Sequence, residues 1–348
     1  MPLDNRLKLI KEIEGMRQSR LICYLTSIRP GVPAQIADDQ VRVIFDHLLS
    51  LPRRPIEKLD IFLVSNGGSG VVPWRLVSLF REFTKSFNVL IPYRAYSAAS
   101  LIALGADEIV MHPFGELGPI DPSVSNEFNP KNPAGVPVAI SVEDVKAYIN
   151  FIKKTVGITH EDELVETIKI LATQVHPLAL GNVERFVSQS RMIATKILKT
   201  HQTEKADHII NEMVENMTSK LYFHGHPINR AEATTDLGLA VCSEIAPALE
   251  DAMWNLYLDY EEEFDNTRAF NPQGDLFSMV PPQGSNVPLK KEYEHTYALI
   301  ESGRISSALK AKRRFVMTQN PQGIQVMEQL LSHAWSHQRF GTSPEPVS

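Results

Sequence analysis

The stretch LDIFLVSNGGSG, residues 59–70, predicts a buried strand that ends in a glycine-rich turn. Its apolar run stops at Asn66, and Gly67 and Gly68 follow directly. Glycines let backbone amides approach a bound group because no Cβ stands in the way. The next residues, VVPWRLVSLFREF, carry apolar side chains at helical spacing. The segment therefore predicts a strand, a turn and a helix, the unit from which α/β folds are built.

A second unit of the same kind follows. NVLIPYRAY, residues 88–96, reads as a strand, and SAASLIALGADEIV, residues 97–110, begins with Ser97 at the expected junction of strand and helix. A serine becomes a nucleophile when a base takes its proton and amides receive the developing negative charge. The amides of Gly68, Ser69 and Ala98 are candidates for that oxyanion hole. Ser69 and Ser100 are rival nucleophiles, and the small residues could instead only let the helix lie close to the sheet.

The run YSAASLIALGADEIVMHPFGELGPIDP, residues 96–122, preceded by NGGSG, resembles the serine-bearing core of the Clp and crotonase fold peptidases. The resemblance is greatest to the serine dehydrogenase proteinase family, in the serine, the small-residue helix, ADEIVM and LGPIDP. It extends more loosely from Arg20 to about Val241, where LYFHGHPINRAEATTDLGLAV resembles the segment that closes the domain. It implies an α/β fold with a Clp/crotonase-like repeated ββα core, helical extensions and a C-terminal appendage.

The resemblance also implies roles for individual residues. The serine that matches Ser97 is the nucleophile in that family, and the glycines that match Gly67 and Gly68 line the oxyanion hole. Ala98, which follows the serine, completes the expected hole. We therefore expect a serine endopeptidase that hydrolyses peptide bonds through an acyl-enzyme on Ser97.

The general base stays open, and a lysine is the first alternative. Where Clp subunits carry a histidine after the serine, this chain has Asp121 and Pro122. Signal peptide peptidase A uses a lysine from a later loop, and Lys131 in FNPKNP has a comparable placement, ahead of Ser141. A buried lysine can lose its charge by desolvation and act as a base.

A histidine is the second alternative. His224 and His226 fall near the place where Clp subunits carry the triad aspartate. A histidine there could act as the base, since it needs little retuning near neutral pH, with Asp121 orienting it. Both histidines could equally belong to a strand end, and Asp121 could only fix the turn before Pro122.

The sequence predicts two parts of the chain. We predict a peptidase-like domain over residues 1–250 and an extension over residues 251–348. In the extension, APALEDAMWNLYLDYEEEF predicts a helix, NPQGDLFSMVPPQGSNVP a linker, and residues 296–318 a β-hairpin around ESGR. GIQVMEQLLSHAWSHQRF predicts a terminal helix, which could dock on a neighbouring subunit.

Composition narrows the class of protein. The chain has 348 residues, 43% of them hydrophobic, with a net charge of −6, which argues against a general nucleic-acid-binding surface. Two cysteines, Cys23 and Cys242, favour a reducing cytoplasm, and no metal site is expected. No run approaches the length of a membrane span, and we expect a soluble protein. We expect no cofactor, a peptide or unfolded protein as substrate, and a homo-oligomer.

Two other classes of function compete with the peptidase. A crotonase-like acyl-CoA enzyme would use the same amides to polarise a thioester and would need a carboxylate base such as Glu116. A catalytically inactive scaffold would keep the fold and lack the base. Labelling of Ser97 by a fluorophosphonate would distinguish the serine peptidase from both the acyl-CoA enzyme and the inactive scaffold.

Overall fold

The computed structural model describes residues 2–52, 55–120, 123–124, 127–133, 135–138, 140–201, 203–220, 225–279, 288–320 and 323–340. Strands and helices alternate through the first part of the chain, as the two strand–turn–helix units predict. The helices are α1 (Pro2–Arg17), α2 (Asp38–Ser50), α3 (Val72–Phe83), α4 (Ala98–Leu104), α5 (Val142–Asn150), α6 (Glu161–Gln174), α7 (Pro177–Leu198), α8 (Asp207–Glu215), α9 (Arg230–Thr235), α10 (Pro247–Phe264) and α11 (Pro272–Ser278). Two π-helical segments, Phe151–Val156 and Asn216–Lys220, continue α5 and α8.

The strands are β1 (Arg20–Thr26), β2 (Ile56–Val64), β3 (Thr84–Ile91), β4 (Arg94–Ala95), β5 (Glu108–Met111), β6 (Glu116–Leu117), β7 (Ser123–Val124), β8 (Ile140–Ser141), β9 (Leu289–Ser302), β10 (Ile305–Asn320) and β11 (Gly323–Arg339). Seven of them form one sheet in the order β11-β10-β9-β1-β2-β3-β5. The strands β1, β2, β3 and β5 are parallel, whereas β9, β10 and β11 join as antiparallel strands. The protein is thus a mixed α/β fold with a central sheet, as predicted. The repeated ββα unit stays a prediction.

Both faces of the parallel strands are buried, which explains why their sequences read as continuous apolar runs. Along β1, Ile22 and Tyr24 face a core shared with α2, α3, α4 and α7. Leu21, Cys23 and Leu25 face the opposite core, which α1 and α10 cover. This alternation follows from the two-residue period of a strand.

The residues after position 250 add strands to the same sheet. The segment Ala298–Ser302 of β9 pairs with Ile22–Thr26 of β1, and α10 packs against α1. The predicted hairpin around ESGR is confirmed as β9 and β10. The helix predicted over residues 246–264 is confirmed as α10, which begins at Pro247. The boundary near residue 250 stays a prediction.

The predicted terminal helix is wrong, because residues 323–339 form strand β11. Val326, Met327, Leu330 and Leu331 are spaced as on one side of a helix. However, β10 offers this segment a ladder of backbone hydrogen bonds along nearly its whole length. A partner strand supplied by the fold overrides a weak local helical preference.

Candidate active site

The two small-residue turns lie side by side at one end of the sheet. Beyond the end of β2, Ser65 bridges to Ala95 of β4: the Ser65 amide donates to the Arg94 carbonyl at 2.9 Å, and the Tyr96 amide donates to the Ser65 carbonyl at 2.9 Å. Parallel strands end at the same edge, so the turns that follow them meet there. The structure therefore brings the glycine turn at residues 66–70 against Ser97, as the sequence predicts.

Ser97 has a strained backbone at the strand-to-helix junction. Its φ is 52° and its ψ is −111°, and the residue immediately precedes α4. A non-glycine residue in such a region costs about 1–3 kcal/mol and persists only where the surroundings impose it. Strain of this kind at a sharp turn between strand and helix is the way other hydrolases expose a nucleophilic serine.

Gly67 is the surrounding residue that fits against Ser97. A Cβ built on Gly67 would lie 2.8 Å from the Ser97 Cβ and 2.8 Å from the Tyr96 carbonyl oxygen. The φ of Gly67 is 99°, which a side chain would also disfavour. Only glycine therefore allows the turn to approach the serine this closely.

The amides of the turn are not equally available. The Gly67 amide donates to the Ser65 hydroxyl at 3.0 Å, and the Ser69 amide donates to the Ile36 carbonyl at 2.9 Å. The Ser69 amide is therefore not available as a donor of the expected oxyanion hole. Within the described ranges, no acceptor is found for the amides of Gly68 and Ala98. Gly67 thus lies against Ser97 with its amide engaged, whereas the amides of Gly68 and Ala98 have no acceptor among the described residues.

The loop between β1 and α2 holds Gly68 in place through backbone contacts. Ile36 bridges to Gly68, and its amide donates to the Gly67 carbonyl at 2.8 Å. A Cβ on Gly68 would lie 2.4 Å from the Ile36 carbonyl oxygen, so the approach again requires glycine. Gln40 at the start of α2 holds this loop through the Gln35 carbonyl at 2.9 Å. Sequence reasoning missed Ile36 and Gln40, since nothing local links them to the turn.

Ser100, the rival on the same helix, has a structural role. Its buried hydroxyl contacts the carbonyls of Ala95 and Gly118 at 2.7 Å each and the Gly118 amide at 3.2 Å. Ser97 is half-buried, and no hydrogen bond to its hydroxyl is found among the described residues. Of the two serines, Ser97 is thus the one whose hydroxyl has no structural hydrogen bond in that part of the chain.

Lys131 lies in the loop between β7 and β8, outside the seven-stranded sheet. Its side chain is exposed, and its backbone bridges to Pro137 within its own loop. Asp121 and His224 lie outside the described residues.

The segment that follows His226 is joined to α4 through a series of hydrogen bonds. Ile228 and Leu117 exchange hydrogen bonds of 2.8 and 2.9 Å, and the next residue, Gly118, is bound by Ser100 of α4. The carboxylate that contacts His226 is Glu232, with 2.6 Å between Nε2 and Oε1. Sequence reasoning missed Glu232, because its contact with His226 depends on how the chain turns from residue 226 into α9. The two side chains form a histidine–carboxylate pair of the kind that orients an imidazole.

Glu116 and Tyr96 are occupied by other contacts. Glu116 pairs with Arg94 at 3.0 Å. Burial, together with the Glu116 carboxylate, raises the pKa of Tyr96 well above its ordinary value of 10, so its phenol stays protonated near neutral pH. Neither side chain is poised to take a proton from Ser97.

Two further expectations concern cysteines and metals. Cys23 and Cys242 are free thiols, and burial raises the pKa of the Cys23 thiol far above its usual range. In the portion of the chain that is described, no group of three histidine, cysteine or acidic side chains is arranged to hold a metal ion. Across those same residues, no helix has both the length and the apolar character needed to cross a membrane.

Comparison with known protein families connects this geometry to peptidases. Residues 2–136 match the family described as ClpP-like SDH-type serine proteinase. This segment contains Ser97 and both turns, and it confirms the resemblance predicted from the sequence. It supports a serine peptidase.

The matches to relatives and to solved structures cover more of the chain than residues 2–136. Two proteins of Methanocaldococcus jannaschii, Uncharacterized protein MJ1495 and Uncharacterized protein MJ0137, are each 25% identical over 248 residues, 69% of this chain and 72% or 74% of theirs. The 1510-N membrane-bound stomatin-specific protease, solved as a serine-to-alanine mutant, has a TM-score of 0.39 at 12% identity, covering 67% of this chain and 85% of that chain. The ClpP protease catalytic domain from Plasmodium falciparum has a TM-score of 0.35 at 12% identity, covering 71% and 95%.

Proposed function

We propose that this protein is a serine endopeptidase of the Clp and signal peptide peptidase A type that forms an acyl-enzyme on Ser97. The observation that carries the proposal is the strained Ser97 at the start of α4, packed against Gly67 and next to the unpaired amides of Gly68 and Ala98 within the described residues. Such donors stabilise charge only where it develops, which is why they accelerate acyl transfer.

The reaction follows from these positions. The Ser97 Oγ attacks the peptide carbonyl carbon while its proton passes to a base, and the amides of Gly68 and Ala98 bind the oxyanion. Collapse of the tetrahedral intermediate breaks the C–N bond, and the protonated base gives its proton to the departing amine. Water then attacks the acyl ester by the same route and restores the Ser97 hydroxyl.

We propose two alternative general bases for Ser97, and different observations support each of them. Lys131 has the sequence placement of the signal peptide peptidase A lysine, but its side chain is exposed. His226 is paired with Glu232 and belongs to a segment joined to the nucleophile helix through Leu117 and Gly118. Asp121 stays a proposed orienting group.

The substrate and the setting are proposals of the same kind. The proposed substrate is an extended peptide or unfolded protein, since an extended chain can present one carbonyl to Ser97. The two free thiols favour a reducing cytoplasm. The ClpP-like family match favours a homo-oligomer.

A fluorophosphonate probe tests the proposal. The Ser97 Oγ should form a bond to phosphorus as fluoride leaves, and peptide mapping should place the adduct on Ser97. The Ser97→Ala variant should lose the label, and the matched control Ser69→Ala, in the facing turn, should keep it. A folded parent protein that takes up no label, or takes it up on another serine, would reject the acyl-enzyme.

A further inference from the structure

Behind the glycine turn lies a pair of buried hydroxyls, on Thr26 and Ser65, that the proposed chemistry does not use. Both residues are 1% exposed. Leu25 pairs with Val64 in the parallel ladder between β1 and β2, so the next residue of each strand, Thr26 and Ser65, lies on one face. The Thr26 hydroxyl donates to the Ser65 Oγ at 2.7 Å.

The Ser65 side chain passes this contact to the turn. Its Oγ accepts from the Gly67 amide at 3.0 Å, so it receives two donors at once. This contact engages the Gly67 N–H and holds the peptide plane between Asn66 and Gly67. The Ser65 hydroxyl also donates to the Gly67 carbonyl at 3.4 Å, and that carbonyl shares its peptide plane with the Gly68 amide. Leaving a buried amide without an acceptor costs free energy, so the hydrogen bond to Ser65 stabilises this orientation of the turn.

The Ser65 backbone is bound to the strand that carries the nucleophile. Its amide and carbonyl form the two bridging hydrogen bonds with Arg94 and Tyr96 on either side of Ala95. One residue thus holds the nucleophile strand by its main chain and the glycine turn by its side chain.

We propose that Ser65, supported by Thr26, is a positioning residue that sets the Gly68 amide in the oxyanion hole. This inference rests on the proposed function, because it assigns a task within the same site. Preorganised donors act through their placement, and a displacement of about 1 Å can cost about a hundredfold in rate. Ser65 itself never touches the reacting atoms.

The test measures fluorophosphonate inactivation as a maximal rate, kinact, and a half-saturation constant, KI. Ser65→Ala should lower kinact about tenfold to a hundredfold while KI stays unchanged, because only the developing charge depends on the turn. Thr26→Val should lower kinact to a smaller extent, and Thr26→Ser, which restores the hydroxyl, should recover it.

The control is Ser307→Ala in β10. Ser307 is also 1% exposed, and its hydroxyl contacts His47 Nε2 at 3.0 Å, away from the turn. It should lose thermal stability as Ser65→Ala does, yet keep the parent kinact. A purely structural role for Ser65 predicts that the two variants behave alike.

The outcomes are separable. A parent protein labelled on Ser97, with an equal kinact for Ser65→Ala, overturns the positioning role and leaves the proposed function standing. A folded parent without label overturns the proposed function and this inference with it. If Ser65→Ala fails to fold, the comparison of Thr26→Val with Thr26→Ser decides, and an equal kinact for the two overturns the inference.

Discussion

The nucleophile side and the base side of this site are built differently. Ser97 and the glycine turn are held by short backbone contacts at the ends of β2 and β4, close to the buried centre of the sheet. Lys131 and His226 come from segments outside the seven-stranded sheet, and Lys131 is exposed. The difference teaches that local turn chemistry fixes the position of the candidate nucleophile, whereas the two candidate bases lie on segments that are placed by contacts outside the sheet.

The largest effect is expected from filling the space between the turn and the serine. Gly67→Ala should abolish fluorophosphonate labelling and lower the free energy of unfolding by about 2 kcal/mol or more, because the new Cβ would collide with Ser97 at an unfavourable φ. Labelling and thermal unfolding measure the two effects. Gly70→Ala, in the same turn but with no atom within 4 Å of its Cβ, should retain both properties. Full labelling of Gly67→Ala would show that the close approach is dispensable.

Single substitutions test the two candidate bases separately. Replacing the true base should slow labelling of Ser97 by about a hundredfold to ten-thousandfold, as is typical when general base catalysis is lost. We expect this loss in either Lys131→Met or His226→Gln, and a near-parent rate in the other. Stopped labelling reactions followed by mass spectrometry measure the rates. If both variants reacted at the parent rate, each would be excluded as the base.

The contrast between Ser97 and Ser100 offers a third test. Ser100→Ala should lower the free energy of unfolding by about 1–3 kcal/mol, since it removes the hydroxyl that contacts the buried carbonyls of Gly118 and Ala95. Chemical denaturation measures the loss. Labelling of Ser97 should persist in the folded variant. Loss of the label with unchanged stability would instead make Ser100 part of the chemistry.

The smallest effect concerns the pH dependence of stability at His47 of α2. His47 lies fully buried between the hydroxyls of Ser302 and Ser307, and burial lowers the pKa of His47 from 6.5 to about 3. Below pH 6.5 the unfolded chain takes up a proton that the folded chain excludes. The stabilisation is therefore complete above pH 6.5 and is lost as the pH falls toward 3.

We expect His47 to contribute about 1.4 kcal/mol per pH unit to the slope of unfolding free energy between pH 6 and pH 4. Denaturation curves across this range measure the slope, and His47→Gln should flatten it. His208→Gln, at an exposed position, serves as the control. An unchanged slope in His47→Gln would show that another group causes the acid sensitivity.

Ser97 and the glycine turn could be predicted because their signals are contiguous in sequence. An apolar run followed by glycines fixes where a strand stops, and the next unit places Ser97 at the corresponding point. The terminal helix could not be predicted correctly, since the choice of strand for β11 depends on pairing with β10. Glu232 was missed because its contact with His226 depends on how the chain turns from residue 226 into α9.

The sequence by itself determined the α/β class, the position of the candidate nucleophile and the glycines that face it, because backbone conformation at turns depends on a few neighbouring residues. Only the tertiary structure decided that Ser69 is hydrogen-bonded away from the hole, that Ser65 and Thr26 stand behind Gly67, and that Glu232 meets His226. The Ser69–Ile36 and Thr26–Ser65 contacts join segments far apart in the chain, and strand register and packing set their geometry. The Ser65–Gly67 and Glu232–His226 contacts are close in sequence, but they depend on how the chain turns between the two residues.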